Sequence, residues 1–318
     1  MVYKRKLVIL GSSAAFLTLV YVLSLVLDPA RINARNERFT WLPAASRNEA
    51  DRIEIIKDGD RLDLAFRNGV WVVMLGSIEV PARQGRVDDL FRILSNRGAF
   101  PRRGSSSGSH AELGLDGSTQ LIIKGGAGLP LLDLLIGAED PSGREVFLRK
   151  NGENEFRSGD RLIGTYINSE KASWFDLRFF EERSVSHVQR VQVRFSGYAG
   201  TGEEDPPADF TDYTITRNED NWIMDGITLN KEKVEVWLRN VLEAQGENAH
   251  PLNDEFNANF ESVAGIRLEF GDGSVSDLRI GAFGEDGKSL ALVSGKSYMI
   301  IIPEWTVLRV LRDRLHFR

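Results

Sequence analysis

The chain has 318 residues, of which 42% are hydrophobic and 27% charged, with a formal net charge of −6 and no cysteine. That apolar content supports folded cores and excludes a disordered polymer, and the acidic balance lacks the basic face that nucleic acid requires. Without cysteine there is no disulfide, no thiol chemistry and no cysteine-held metal, and the length corresponds to about two domains.

Lys4, Arg5 and Lys6 precede an uncharged run, LVILGSSAAFLTLVYVLSLVL, which opens at Leu7 and closes at Leu27. At about 1.5 Å per residue it matches the roughly 30 Å hydrocarbon thickness of a bilayer. It is longer than the ~7–15-residue apolar region of a cleaved signal peptide, and it ends in Leu-Val-Leu-Asp-Pro rather than at a small-x-small site. The run predicts one uncleaved transmembrane helix over 7–27. The basic cluster abutting its start places the N-terminus inside, although Arg31, Arg35 and Arg38 follow the span. Residues 1–6 then form a cytoplasmic tail and 28–48 a stalk. The body is expected on the extracytoplasmic side of the cytoplasmic (inner) membrane.

Two α+β repeats are expected beyond the stalk, over 49–180 and 181–318. Arg52-Ile53-Glu54-Ile55 resembles Arg190-Val191-Gln192-Val193. LDLAFRNGVWVV resembles YTITRNEDNWIM, which sets Trp71 against Trp222; RVDDLFRIL resembles KVEVWLRNVL; and DLLIGA resembles DLRIGA, which sets Gly137 against Gly281. The order never breaks. These four residues are therefore expected to fill equivalent core or packing positions.

Within the first repeat, alternation through Ile53, Ile55, Leu62, Leu64 and Phe66 predicts strands. Asp58-Gly59 and Asn68-Gly69 suit tight hairpin turns. Val87, Leu90, Phe91 and Leu94 recur at helical spacing, as do Val234, Trp237, Leu238, Val241 and Leu242 in the second repeat, where Asn230 is the expected N-cap. Further strands are predicted at about 120–124, 130–136 and 144–149, and at 264–270, 276–280, 289–294 and 297–302. Pro303 is placed at the first position of a last helix running through Leu308 and Leu311. Each repeat is thus predicted as antiparallel β hairpins packed on one main helix. RRGSSSGSH over 102–110 and the Gly/Pro/acid stretch over 196–210 read as exposed loops.

Catalytic signals are sparse. Gly104-Ser105-Ser106-Ser107-Gly108 fits G-x-S-x-G, but that pattern needs a strand before it and a helix after it. Gly125, Gly126 and Gly128 fit no phosphate loop and are expected in a hairpin turn. His110, His187, His250 and His316 have no metal-ligand spacing. Glu203-Glu204-Asp205, with Asp209 and Asp212, lacks the rhythm of a calcium loop, and Asp254-Glu255 is an isolated acidic pair. No catalytic, cofactor or metal residue is assigned. Trp174, Phe175, Phe179 and Phe180 lie where the repeats join; they pack the two together or form an exposed partner contact.

The anchor, the DRIEI strand (51–55), the Trp71 hairpin, ELGLD (112–116), LLIGA (134–138) and the SWFDLRFF connector (173–180) together resemble the domain-of-unknown-function 4340 family over roughly 48–318. The second repeat has NFESVAGI where ELGLD would recur. The resemblance implies a companion of gliding-type ABC transporters and carries no catalytic residues. The expected function is a non-catalytic accessory or binding subunit of a membrane transport assembly, held in the lipid bilayer and touching an integral-membrane protein partner. A cell-envelope hydrolase and a structural envelope scaffold are the alternatives.

Overall fold

The computed structural model describes residues 16–22, 39–97, 100–117, 119–126, 128–167, 171–180, 183–197 and 209–318. The expected tail, most of the expected span and stalk, and residues 198–208 of the acidic loop lie outside the described residues. Of the expected span, 16–22 is described and is helical. Among the described residues no helix is long and apolar enough to cross a membrane.

The first half of the body contains strands β1 (Ala50–Lys57), β2 (Asp60–Arg67), β3 (Val70–Leu75) and β4 (Ile78–Pro81), helix α1 (Gln84–Ser95), then β5 (Arg102–Gly104), β6 (Thr119–Gly125), β7 (Pro130–Glu139), β8 (Glu145–Lys150), β9 (Phe156–Asp160) and the short helix α2 (Leu162–Ile167). The second half runs β10 (Val188–Phe195), β11 (Tyr213–Asn218), β12 (Asn221–Met224), β13 (Ile227–Thr228), α3 (Lys231–Glu243), β14 (Asn248–Pro251), α4 (Asp254–Asn259), β15 (Ala264–Phe270), β16 (Val275–Ile280), β17 (Lys288–Val293), β18 (Tyr298–Pro303) and α5 (Glu304–Val310).

The strands form two nine-stranded sheets, ordered β4-β3-β2-β1-β6-β7-β8-β9-β5 and β13-β12-β11-β10-β15-β16-β17-β18-β14. Counted from its own first strand, each sheet follows the same path. The central pairs also share a register. Ala50 faces Gly125 and, after a bulge, Arg52 faces Lys124; Val188 faces Phe270 and, after a bulge, Arg190 faces Glu269. The two halves together therefore have a two-repeat layout like the one the sequence pattern predicts, but with far more strand. The hairpins do not simply sit on one helix; they merge into a continuous sheet.

Local chemistry explains the hairpins. Asp58 and Gly59, and Asn68 and Gly69, all have positive φ, the backbone of a type I′ turn whose twist matches the flanking strands. In α1 the residues at 3.6 spacing, Val87, Leu90, Phe91 and Leu94, are buried, as are Val234, Trp237, Leu238, Val241 and Leu242 of α3. Each such burial stabilises by roughly 1.5–3 kcal/mol. The Asn230 side chain accepts from the Lys233 N–H and caps α3 as expected. Pro303 instead stands one place before the last helix, as its N-cap, and that helix ends at Val310. The 102–110 stretch is not all loop, because β5 pairs with β9.

The chain folds into two compact units, Met1–Asp63 with Gly85–Ser169, and Leu64–Gln84 with Glu170–Arg318. In the second unit α3 packs on α5 and β12, and Trp237 Nε1 donates to the Val310 carbonyl at 2.8 Å.

Candidate functional site

Sheet order explains the repeated glycines. In the first sheet β5 lies on one edge, but the next strand, β6, lies in the middle. The intervening segment must cross β9, β8 and β7. His110 stacks edge-on against Phe156 of β9, Arg149 of β8 donates to the Leu115 carbonyl at 2.9 Å, and Ala138 N donates to the Leu113 carbonyl at 2.8 Å. A Cβ on Gly137 would collide with that carbonyl. In the second sheet the corresponding return segment brings Phe260 onto Gly281, where a Cβ would come within 3.1 Å of the ring. Both glycines are clearance positions for a chain crossing.

The two tryptophans are equally structural. Trp71 and Trp222 are each the second residue of the third strand and both are buried. The Trp71 carbonyl accepts from Ala82 N, and the Trp222 carbonyl accepts from Leu229 N. In each case the main helix begins two residues later.

Trp174, Phe175, Phe179 and Phe180 are at most 2% exposed. This corrects the reading of them as an exposed partner contact. The connector that carries them is tied into the second unit on both sides. Asp176 N donates to the Pro81 carbonyl at 2.7 Å and Arg83 N to the Trp174 carbonyl at 2.8 Å, while Phe179 N donates to the Ala244 carbonyl at 3.1 Å.

Ser106 of the G-x-S-x-G pattern has ordinary extended backbone, and a short 3₁₀ turn rather than a helix follows it, so no nucleophile elbow forms. Gly125 N donates to the Leu129 carbonyl in the β6–β7 turn. Asp209 accepts from Thr211, and Asp212 accepts from Phe195 N at 2.7 Å. Residues 203–205 lie outside the described residues. Among the described residues no group of three or more His, Asp or Glu could hold a metal ion. The 3₁₀ turn Val185–His187 brings Ser184 Oγ within 3.4 Å of His187 Nδ1, a local contact between exposed groups.

A cavity of about 820 Å³ opens beside α1 in the first unit. Its carboxylates already have partners. Asp88 pairs with Arg47. Asp89 accepts from Arg92 and from the Tyr166 hydroxyl, and the Arg92 bond holds its carboxyl below the usual range. Asp160 accepts from Leu162 N at 2.8 Å and caps α2.

The corresponding faces of the two sheets differ more than their cores. On the first, Glu54 is 2% exposed and its Oε1 meets Arg52 at 3.1 Å, Arg61 at 3.1 Å and Lys124 at 2.5 Å. On the second, Gln192 takes the place of Glu54, and a pocket of about 170 Å³ is lined by Arg194, Arg267 and Arg279 with one carboxylate, Asp277. The sequence reading missed these arginines. Only the strand register shows that they share a face.

The fold thus defines a tandem of nine-stranded antiparallel sheets, each with one long helix inserted between its fourth and fifth strands. No family model matches the chain, and neither a curated protein nor a solved structure matches it.

Proposed function

We propose that this protein is a membrane-anchored, extracytoplasmic accessory or binding subunit of a membrane transport assembly of the ABC type, acting by contact rather than catalysis. The carrying observation is the apolar helical stretch at 16–22, where Phe16, Leu17 and Tyr21 are each more than 60% exposed. A helix with apolar side chains all round is unfavourable in water and is accommodated by lipid. It lies inside an uncharged run long enough to span a bilayer. The resemblance to the domain-of-unknown-function 4340 family supports an ABC-type partner. The free sides of the edge strands β13 and β14 offer backbone groups for strand addition. Tethering beside the partner raises effective concentration, so a weak contact is sufficient.

Detergent extraction followed by affinity purification tests this reading. The full chain is expected in the membrane fraction, with a C-terminal reporter active only outside the cytoplasm and an integral-membrane permease co-purifying. A mature chain that starts at residue 28 or later, or one recovered in the soluble fraction, would overturn it.

A further inference from the structure

The shared register pairs the residues of the two sheet faces one by one. Glu54 faces Ile122 and Ile56 faces Gln120; Gln192 faces Arg267 and Arg194 faces Gly265. One strand further on, Gln120 faces Leu135 and Gly265 faces Arg279. Arg194, Arg267 and Arg279 therefore stand where the first sheet has Ile56, Ile122 and Leu135. Three apolar positions have become three arginines on one patch, and the counter-ion at its centre, Glu54, has become the neutral Gln192.

The geometry around them is open. Gly265 has no side chain to fill the floor opposite Arg194. Arg194 reaches only Gln192, at 3.5 Å, among the described residues. Arg279 donates to Asn257 at 2.8 Å and lies 5.6 Å from the centre of the Phe260 ring, and neither neighbour carries a carboxylate. Arg267 meets Asp277 at 3.3 Å and Glu269 at 3.8 Å. At the rim the Ser262 hydroxyl already donates to the Ala264 and Ile280 carbonyls, whereas that of Ser196 has no hydrogen-bond partner among the described residues. Three guanidiniums against two carboxylates, Asp277 and Glu269, still leave a net positive pocket. Planar guanidinium forks match a phosphate's oxygens, and the Ser196 hydroxyl adds one further donor.

We propose that this pocket binds a phosphate group, either free phosphate or the phosphomonoester of a larger molecule. The volume fits one such group. The inference does not rest on the membrane reading, because phosphate titration and membrane extraction can fail independently.

The test is calorimetric titration of the full chain in uncharged detergent with inorganic phosphate, glycerol phosphate and acetate. Saturable binding of one phosphate per chain is expected. Binding of glycerol phosphate as well marks an ester headgroup as the natural source, whereas binding of inorganic phosphate alone marks the free ion. Arg194→Ile and Arg279→Leu, which install the first sheet's residues, should each weaken binding about tenfold or more. Gln192→Glu restores the internal counter-ion and should abolish binding while circular dichroism stays unchanged, which keeps the test valid if an arginine variant misfolds. No phosphate binding, equal binding of acetate, or binding that survives Gln192→Glu would overturn the proposal.

Discussion

Gly137 and Leu113 are in backbone contact across a chain crossing: the carbonyl oxygen of Leu113 accepts from Ala138 N at 2.8 Å and fills the space where a Cβ on Gly137 would stand. Gly281 has the same place in its own sheet but is approached by the ring of Phe260, which a Cβ added there would meet at 3.1 Å. A ring can move by a few tenths of an ångström, whereas a hydrogen-bonded carbonyl cannot. Gly137→Ala should therefore cost about 3 kcal/mol or more, and Gly281→Ala about 1 kcal/mol or less. Urea unfolding of both variants decides this; equal losses would mean that the crossing segments are not what fixes the glycines.

That asymmetry marks the limit of what sequence could reveal. Pattern located the helix faces, the two glycine turns and the strand-3 tryptophans, because period and turn chemistry are local. It missed β4, β5, β9, β13 and β14, which are short and sit at or near sheet edges, where no alternation accumulates. It also read Trp174 as junction packing or an exposed contact. Burial is a property of the whole fold, and four aromatics in eight residues suit either reading. The arginine pocket was illegible for a related reason, since Arg194, Arg267 and Arg279 come from three strands and meet only through register.

Trp174 is fully buried. Trp174→Ala should cost about 3–5 kcal/mol, the usual range for emptying an aromatic site. Thermal unfolding checks it, and a loss below about 1 kcal/mol would return the residue to the surface.

Two buried tyrosines should behave oppositely. The Tyr213 hydroxyl donates to the Arg312 carbonyl at 2.9 Å, whereas the Tyr298 hydroxyl is buried with no hydrogen-bond partner among the described residues. Burial pushes both phenols above the ordinary tyrosine range. Tyr213→Phe should destabilise by about 1 kcal/mol and leave a carbonyl unpaired. Tyr298→Phe removes a desolvated group that gains nothing and should be neutral or stabilising by about 1 kcal/mol. Losses of equal size would refute the distinction.

Asp140 and Asp272 each organise a tight turn. Asp140 accepts from the Ser142 hydroxyl and from the backbone N–H groups of Glu145, Arg144 and Ser142, and these bonds hold its carboxyl well below the usual range. Ser274, with Arg183, does the same for Asp272. A carboxyl lowered in the folded state stabilises fully above its unfolded value of about 3.9, and that contribution fades as pH falls toward the folded value. Asp140→Asn and Asp272→Asn should thus lower the urea midpoint at about pH 7, and the gap from the parent should narrow steadily below about pH 4. A gap that stays constant down to about pH 2 would show that the charge is not what the turns use.

Glu54 offers the sharpest test of how the two sheet faces diverged. Its carboxylate is 3% exposed, whereas Arg52, Arg61 and Lys124 around it are 46%, 47% and 27% exposed. Removing the charge leaves cations that water can still reach, so the loss should fall below the ~3–5 kcal/mol of a fully buried pair. Asp63 continues to hold Arg52 at 3.2 Å and Arg61 at 3.0 Å, which limits it further. Glu54→Gln, the residue that the second sheet carries, should cost about 2 kcal/mol. Because the carboxylate is shielded from solvent, added salt should recover little of that loss; screening acts on exposed charges. If Glu54→Gln leaves the urea midpoint unchanged, or if salt erases the difference, the cluster is surface decoration, and the contrast between a closed first face and an open second one loses its physical basis.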